Sequence, residues 1–122
     1  MFNEIFNNRG NKVDFKYDGS KNPYVSLKKF YEENKDTLKD NTIIVRGVWV
    51  NYKSAYGASP CIVTDGVNLN VPDYLIKDIE AIRADPRLVQ AINDGRCGFK
   101  FKFYNDRKGI ERLGGNFCDY EN

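Results

Sequence analysis

The chain has 122 residues, of which 41% are hydrophobic and 14% aromatic, and its 19 basic and 17 acidic residues leave a formal net charge of +2. This length supports a single domain with one hydrophobic core, and the weak net charge excludes a global field that would draw the protein onto DNA or an anionic membrane. Histidine is absent, which removes the commonest general base and most transition-metal ligands, so we expect no enzyme activity, no metal and no cofactor.

The cysteines and the apolar segments indicate a cellular compartment. The chain has three cysteines, an odd number, and no two of them are close in sequence: Cys61, Cys97 and Cys118. Each lies in an apolar or strand-like segment, which predicts buried and reduced thiols. No segment has the apolar length of a membrane span, and the first thirty residues contain no run of signal-peptide length. We therefore expect a cytoplasmic protein that does not bind a membrane.

The N-terminal part of the chain differs from the rest in composition. Residues 1–22 are rich in Asn, Lys and Gly and predict a partly ordered arm, whereas residues 23–122 predict a single globular domain. Within the arm, Val13, Phe15 and Tyr17 alternate with polar residues and suit an edge strand.

One helix and one long strand follow the arm. The helix is predicted to begin after Ser26, a preferred N-cap residue, and to run to about Leu38. Its apolar residues share one face at helical spacing. Residues 42–52 combine β-branched and aromatic side chains and predict one long strand, in which Gly47 indicates a bulge or bend.

The middle of the chain predicts a hairpin and then helix. After a loop at residues 53–60, apolar segments on either side of Asp65-Gly66 favour a β-hairpin. Residues 73–93 predict two helices, or one helix bent near Asp85-Pro86, because proline lacks an amide hydrogen and its ring collides with the preceding turn. The apolar stripe of this region is Leu75, Ile76, Ile79 and Ile82.

The last predicted strand pair carries two different chemistries. Residues 97–104 alternate strictly, so Phe99, Phe101 and Phe103 are predicted to be buried and the side chains between them exposed. A turn at residues 105–109 leads to a return strand within residues 110–120. Residues 96–112 contain six basic and two acidic residues, a net charge of +4, and the rest of the chain sums to −2.

The order of elements carries a resemblance. After the first helix the order is strand, strand, strand, helix, strand, strand over about residues 42–120, which resembles the OB-fold, a five-stranded partly open barrel. The resemblance implies an α+β protein with the helix between strands 3 and 4 and an additional N-terminal helix. An α+β sheet of another kind is the alternative. The segments YGASPCIVTDGVNLNVPDYL and AINDGRCGFKFKFY also resemble small proteins of bacteriophages and mobile elements.

The OB-fold resemblance implies a ligand site on strands 2 and 3 and on the loops between strands 1 and 2 and strands 4 and 5. Basic and aromatic residues gather on these loops and on the last strands, which favours binding of single-stranded nucleic acid. The candidate residues are Tyr52, Lys53, Tyr56, Lys100, Lys102, Tyr104, Arg107 and Lys108. Two alternatives stay open: a protein-binding module that inhibits a host enzyme or defence protein, and a merely solvated hairpin.

Overall fold

Seven β-strands and three α-helices make up the described residues, 15–52 and 57–121, of the computed structural model. The strands are β1 (Tyr24–Ser26), β2 (Thr42–Ile44), β3 (Gly47–Asn51), β4 (Ser59–Val63), β5 (Asn68–Asn70), β6 (Cys97–Asn105) and β7 (Glu111–Asp119). The helices are α1 (Leu27–Asn34), α2 (Ile76–Ala84) and α3 (Pro86–Asn93), with short 3-10 turns at Lys39–Asn41 and Asp73–Leu75. The predicted α+β class is confirmed. None of the helices in these two ranges is long and apolar enough to cross a membrane.

The strands form two open sheets, where the sequence predicted five strands in one partly open barrel. One sheet has the order β1-β5-β4-β3, and the other has the order β2-β6-β7. All neighbouring strands are antiparallel except β1 and β5, which are parallel. β1 was not predicted, because three residues before a helix carry no pattern of their own. It covers the outer edge of β5.

The predicted long strand at residues 42–52 is wrong, because the chain changes sheets within it. The amide of Val45 donates to Cys97 at 2.9 Å, and the next amide, that of Arg46, donates to Val63 at 2.8 Å. Successive peptide groups therefore bond to different sheets, and Val45 and Val48 are both buried, which breaks the strict alternation of one strand. The bend expected at Gly47 lies instead at Val45 and Arg46, and Gly47 is the first residue of β3.

The helix boundaries follow from side-chain caps. The Ser26 hydroxyl accepts from the amide of Lys29 at 3.2 Å, which confirms the predicted N-cap of α1. The helix ends at Asn34, four residues before the predicted end, because Thr37 turns back onto the Asn34 carbonyl. The predicted break at Asp85 is confirmed, since its carboxylate caps α3 and separates it from α2.

The hydrophobic core lies between the two sheets and α2. Phe99 and Phe101 are buried as predicted, and Ile79 and Ile82 of the apolar stripe are buried with them. Phe103 contradicts the prediction, because 49% of its surface is exposed. β2 pairs with β6 only as far as Lys100, so Phe103 extends beyond the edge of the core.

Residues 15–22 lie across the outer face of the first sheet. The Asn68 side chain is 3% exposed, donates to the Gly19 carbonyl at 3.0 Å and accepts from Asn22 at 3.2 Å. The edge strand suggested in the arm is not formed at Phe15 or Tyr17, and Val13 and the other residues before 15 lie outside the described residues.

Candidate nucleic-acid interface

The polar face of β6 brings three of the predicted site residues together. Lys100, Lys102 and Tyr104 lie opposite Asn116, Gly114 and Arg112 of β7, and residues directly opposite in a strand pair share a face. Both lysines are exposed and Tyr104 is half-buried. The predicted alternation is therefore confirmed for Phe99 and Phe101 on the apolar face and for Lys100 and Lys102 on the polar face.

The cations of this face differ in their electrostatic partners. The Lys100 ammonium lies 3.3 Å from the Asp40 carboxylate, and Arg112 lies 3.1 Å from Asp106. Lys102 has no ion-pair partner within the described ranges. Because an exposed ion pair contributes little stability and is screened by salt, Lys100 exchanges Asp40 for another anion at low cost. Lys102 can contact another anion without first giving up such an ion pair.

The turn between β6 and β7 is ordered by one carboxylate. Asp106 accepts hydrogen bonds from the amides of Lys108 and Ile110, each at 2.9 Å, and these bonds with the one from Arg112 hold the pKa of Asp106 below its usual range. Gly109 completes the turn with φ of 76°, a conformation that side chains rarely adopt. The turn presents Arg107 and Lys108 to solvent.

Tyr74 adds a second ring to this face. It belongs to the 3-10 turn before α2, and its ring centre lies 5.4 Å from that of Tyr104 at an interplanar angle of 82°. Its hydroxyl donates to the Gly115 carbonyl at 2.8 Å and accepts from the Gly115 amide at 2.9 Å. These two bonds fix the ring against β7, while 49% of the Tyr74 surface is exposed.

Gly114 makes room for the two rings. A Cβ atom at Gly114 would lie 2.5 Å from the Tyr74 hydroxyl and 2.9 Å from Cε1 of Tyr104. The absence of a side chain therefore lets both rings rest on the sheet beside a pocket of about 410 Å³, lined by Tyr74, Lys102, Tyr104 and Asn116. Burial and the neighbouring Tyr74 raise the pKa of Tyr104, so its hydroxyl stays protonated at neutral pH.

The other predicted site residues lie elsewhere. Tyr52 follows β3 in the first sheet, and its hydroxyl donates to Glu80 of α2 at 2.9 Å, a bond that raises the pKa of Tyr52. Lys53 and Tyr56 lie outside the described residues. The OB-fold resemblance implies a ligand site on its second and third strands, which correspond to β4 and β5. Part of that face is covered, because Gly19 and its neighbours pack against Asn68 of β5.

Tyr74, Gly114 and Asn116 were not among the predicted site residues. Tyr74 precedes Lys102 by 28 residues and lies in a turn with no strand pattern, so no local pattern associates the two residues. The Gly114-Gly115 pair was a visible signal, since consecutive glycines in a strand mark a close approach of other groups.

Comparisons with known proteins add no family to this geometry. Neither a protein-family model, nor a curated protein, nor a solved structure matches the chain. Among residues 15–52 and 57–121, no cluster of three or more Cys, Asp or Glu residues is arranged to hold a metal ion. The chemistry of the site must therefore be argued from its own basic, aromatic and amide groups.

Proposed function

We propose that this protein is a non-catalytic, cytoplasmic single-stranded nucleic-acid-binding protein of the phage or mobile-element type. One observation carries the proposal: two tyrosine rings and a lysine that has no ion-pair partner among the described residues surround an open pocket on the polar face of the β6–β7 hairpin. Exposed rings stack on bases and ammonium groups contact phosphates, and a single strand presents both at once.

The order of the strands and helices along the chain supports the proposal. When β2 and β3 are counted as one bent strand, five strands follow α1, and α2 and α3 lie between the third and the fourth. This order is that of the OB-fold, which commonly binds oligonucleotides. β1 is an additional strand, and the OB-like barrel is a proposal, because the two sheets pair separately in the described residues.

The charges of the β6–β7 hairpin suit a single strand of nucleic acid that runs along it from the pocket to the turn. Lys102 lies at the pocket, and Arg107 and Lys108 lie at the tip of the hairpin, with Lys100 on the same face as Lys102. Each stacked base contributes about 1 to 3 kcal/mol, and each neutralised phosphate contributes about −0.7 to the slope of log affinity against log salt. Three or four cations therefore predict a slope between about −2 and −3.

A titration with a thirty-nucleotide single strand tests the function. Fluorescence anisotropy of a labelled strand, measured over a series of salt concentrations, gives the dissociation constant and the slope. Replacing Lys102 and Lys108 together by Ala weakens binding at low salt and flattens the slope by about one unit or more. The matched control replaces Lys28 and Lys29 of α1 by Ala, which removes the same charge elsewhere and leaves the slope nearly unchanged. Absence of binding by the wild-type protein at micromolar concentration and low salt rejects the proposal.

A protein-binding module that inhibits a host enzyme or defence protein is the second candidate, and the opposite face of the hairpin favours it. Phe103 is 49% exposed, lies opposite Leu113 and contacts the ring of Tyr31 with 5.6 Å between centroids. Exposed aromatic groups of this kind form the centres of protein interfaces. Phe103→Glu abolishes such an interaction and leaves nucleic-acid binding by the polar face intact, whereas the lysine variant has the opposite effect.

A further inference from the structure

The pocket beside Tyr74 and Tyr104 offers polar groups that nonspecific stacking does not require. The Tyr74 hydroxyl is engaged with both polar atoms of Gly115, so Tyr74 contributes a ring and no free polar atom. Lys102 and Asn116 are exposed at the wall of the pocket. A ligand therefore meets an ammonium group, which only donates, and an amide, which both donates and accepts.

Lys102 and Asn116 are within reach of the same ligand. Lys102 lies directly opposite Gly114, and Asn116 lies two residues further along β7 on the same face. Such diagonal neighbours have Cα atoms about 7 to 8 Å apart, which long side chains span. The edge of one base stacked on a tyrosine ring can therefore meet the ammonium and the amide together.

We propose that this pocket, given the nucleic-acid function proposed above, selects a keto base over an amino base. Guanine, hypoxanthine, thymine and uracil present a carbonyl oxygen beside a ring N–H. The carbonyl accepts from Lys102, and the N–H donates to the side-chain carbonyl of Asn116. Adenine and cytosine place an amino donor where the carbonyl would be, so the ammonium of Lys102 faces a second donor.

Hypoxanthine and adenine provide the matched pair of ligands, because hypoxanthine carries a carbonyl and a ring N–H where adenine carries an amino group and a bare ring nitrogen. Each is placed as the single base in a short strand whose other positions are abasic. Competition of these strands with the labelled thirty-nucleotide strand gives two dissociation constants. The expected result is about tenfold tighter binding of hypoxanthine, the usual size of a good side-chain contact to a base edge.

Two variants separate recognition of the base from general affinity. Asn116→Ala lowers the ratio of the two constants toward one, because only the contact from Lys102 still discriminates, while Lys108→Ala, at the hairpin tip, weakens both strands equally and keeps the ratio. Circular dichroism and the urea midpoint verify that each variant is folded. Equal binding of the two strands by the wild type, a preference for adenine, or an unchanged ratio in Asn116→Ala overturns the inference and leaves the proposed function standing. Failure of the thirty-nucleotide strand to bind overturns both.

Discussion

The hydroxyl of Tyr74 hydrogen-bonds to both polar groups of Gly115, donating to its carbonyl at 2.8 Å and accepting from its amide at 2.9 Å. The amide of Tyr120 donates to the carbonyl of Arg96, the residue opposite it, so these two form a hydrogen-bonded pair. From there, pairs that exchange hydrogen bonds alternate with pairs that do not along β6 and β7. Gly115, opposite Phe101, then belongs to a pair that exchanges no hydrogen bonds. Its polar groups face the outer edge of β7, and Tyr74 supplies the partners that another strand would supply.

Replacing Tyr74 by Phe removes these two bonds and retains the ring. We expect the free energy of unfolding to fall by about 1 to 3 kcal/mol, because the buried peptide groups of Gly115 lose their partners. Urea unfolding followed by circular dichroism measures the change. Tyr24→Phe is the control, since the Tyr24 side chain is 56% exposed and its hydroxyl has no partner among the described residues. A fall of equal size in both variants contradicts the role assigned to Tyr74.

Phe101 and Phe103 alternate along the same face of β6 and differ in burial. Phe101 is 4% exposed and packs against the rings of Phe99 and Tyr31, whereas Phe103 is 49% exposed. Phe101→Ala therefore lowers the free energy of unfolding by about 3 to 5 kcal/mol. Phe103→Ala lowers it by about 1 kcal/mol, because half of its surface is already in water. Equal losses in urea unfolding would place the edge of the core beyond Phe103.

The contrast between these two rings explains how far the sequence predicts the fold. Strict alternation assigns each side chain to a face, and the faces of β6 were predicted correctly. Alternation does not show where the neighbouring strand ends, and β2 ends its pairing at Lys100. The division of residues 42–52 escaped prediction for a related reason, because a change of partner at Val45 and Arg46 depends on sheets that are distant in sequence.

The candidate site was predictable in part for the same physical reason. Lys102 and Tyr104 are close in sequence and share one strand face, so a local pattern was enough to associate them. Tyr74 and Asn116 join them only through tertiary packing of the turn before α2 and of β7. Tyr52 illustrates the reverse case, since its hydroxyl binds Glu80 on α2 and not the hairpin.

The three thiols are expected to differ in reactivity. Burial raises the pKa of Cys61 and of Cys97 to about 12, so at pH 8 only about one molecule in ten thousand carries the reactive thiolate at either position. The pKa of Cys118 is also raised by burial, but the charge of Lys100 opposes the rise. Alkylation of the native protein at pH 8, followed by peptide mass spectrometry, therefore modifies Cys118 first and Cys61 last. Cys61 is only 1% exposed, so its early modification would contradict the packing around it.

Alkaline pH tests the same burial through stability. The folded-state pKa values of Cys61 and Cys97 lie above the ordinary value of 9.0. The stabilisation from keeping these thiols neutral is therefore complete below pH 9 and is lost as the pH rises toward 12. We expect the free energy of unfolding to fall between pH 8 and pH 10.5. The fall is smaller in Cys61→Ala, measured against its own value at pH 8. If the free energy of unfolding of Cys61→Ala falls as much as that of the wild type, the Cys61 thiol does not contribute to the pH dependence of stability.

Gly114 and Gly115 are adjacent and their replacement has different consequences. A methyl group at Gly115 meets the Phe99 ring at 2.6 Å and the backbone of Lys100, so Gly115→Ala disturbs the core and lowers stability. A methyl group at Gly114 meets the Tyr74 hydroxyl at 2.5 Å and the ring of Tyr104 at 2.9 Å, so it displaces the rings that border the pocket.

We therefore expect Gly114→Ala to weaken binding of the thirty-nucleotide strand by about tenfold or more, the contribution of one stacked base. Part of its effect comes through the Tyr74 hydroxyl, and comparison with Tyr74→Phe isolates that part, because the Phe variant keeps the ring and loses only the hydrogen bonds. Anisotropy titrations and urea midpoints are measured on the wild type and on both variants. If Gly114→Ala is folded and binds the strand as tightly as the wild type, stacking on Tyr74 and Tyr104 does not carry the affinity, and the interface must lie on another surface.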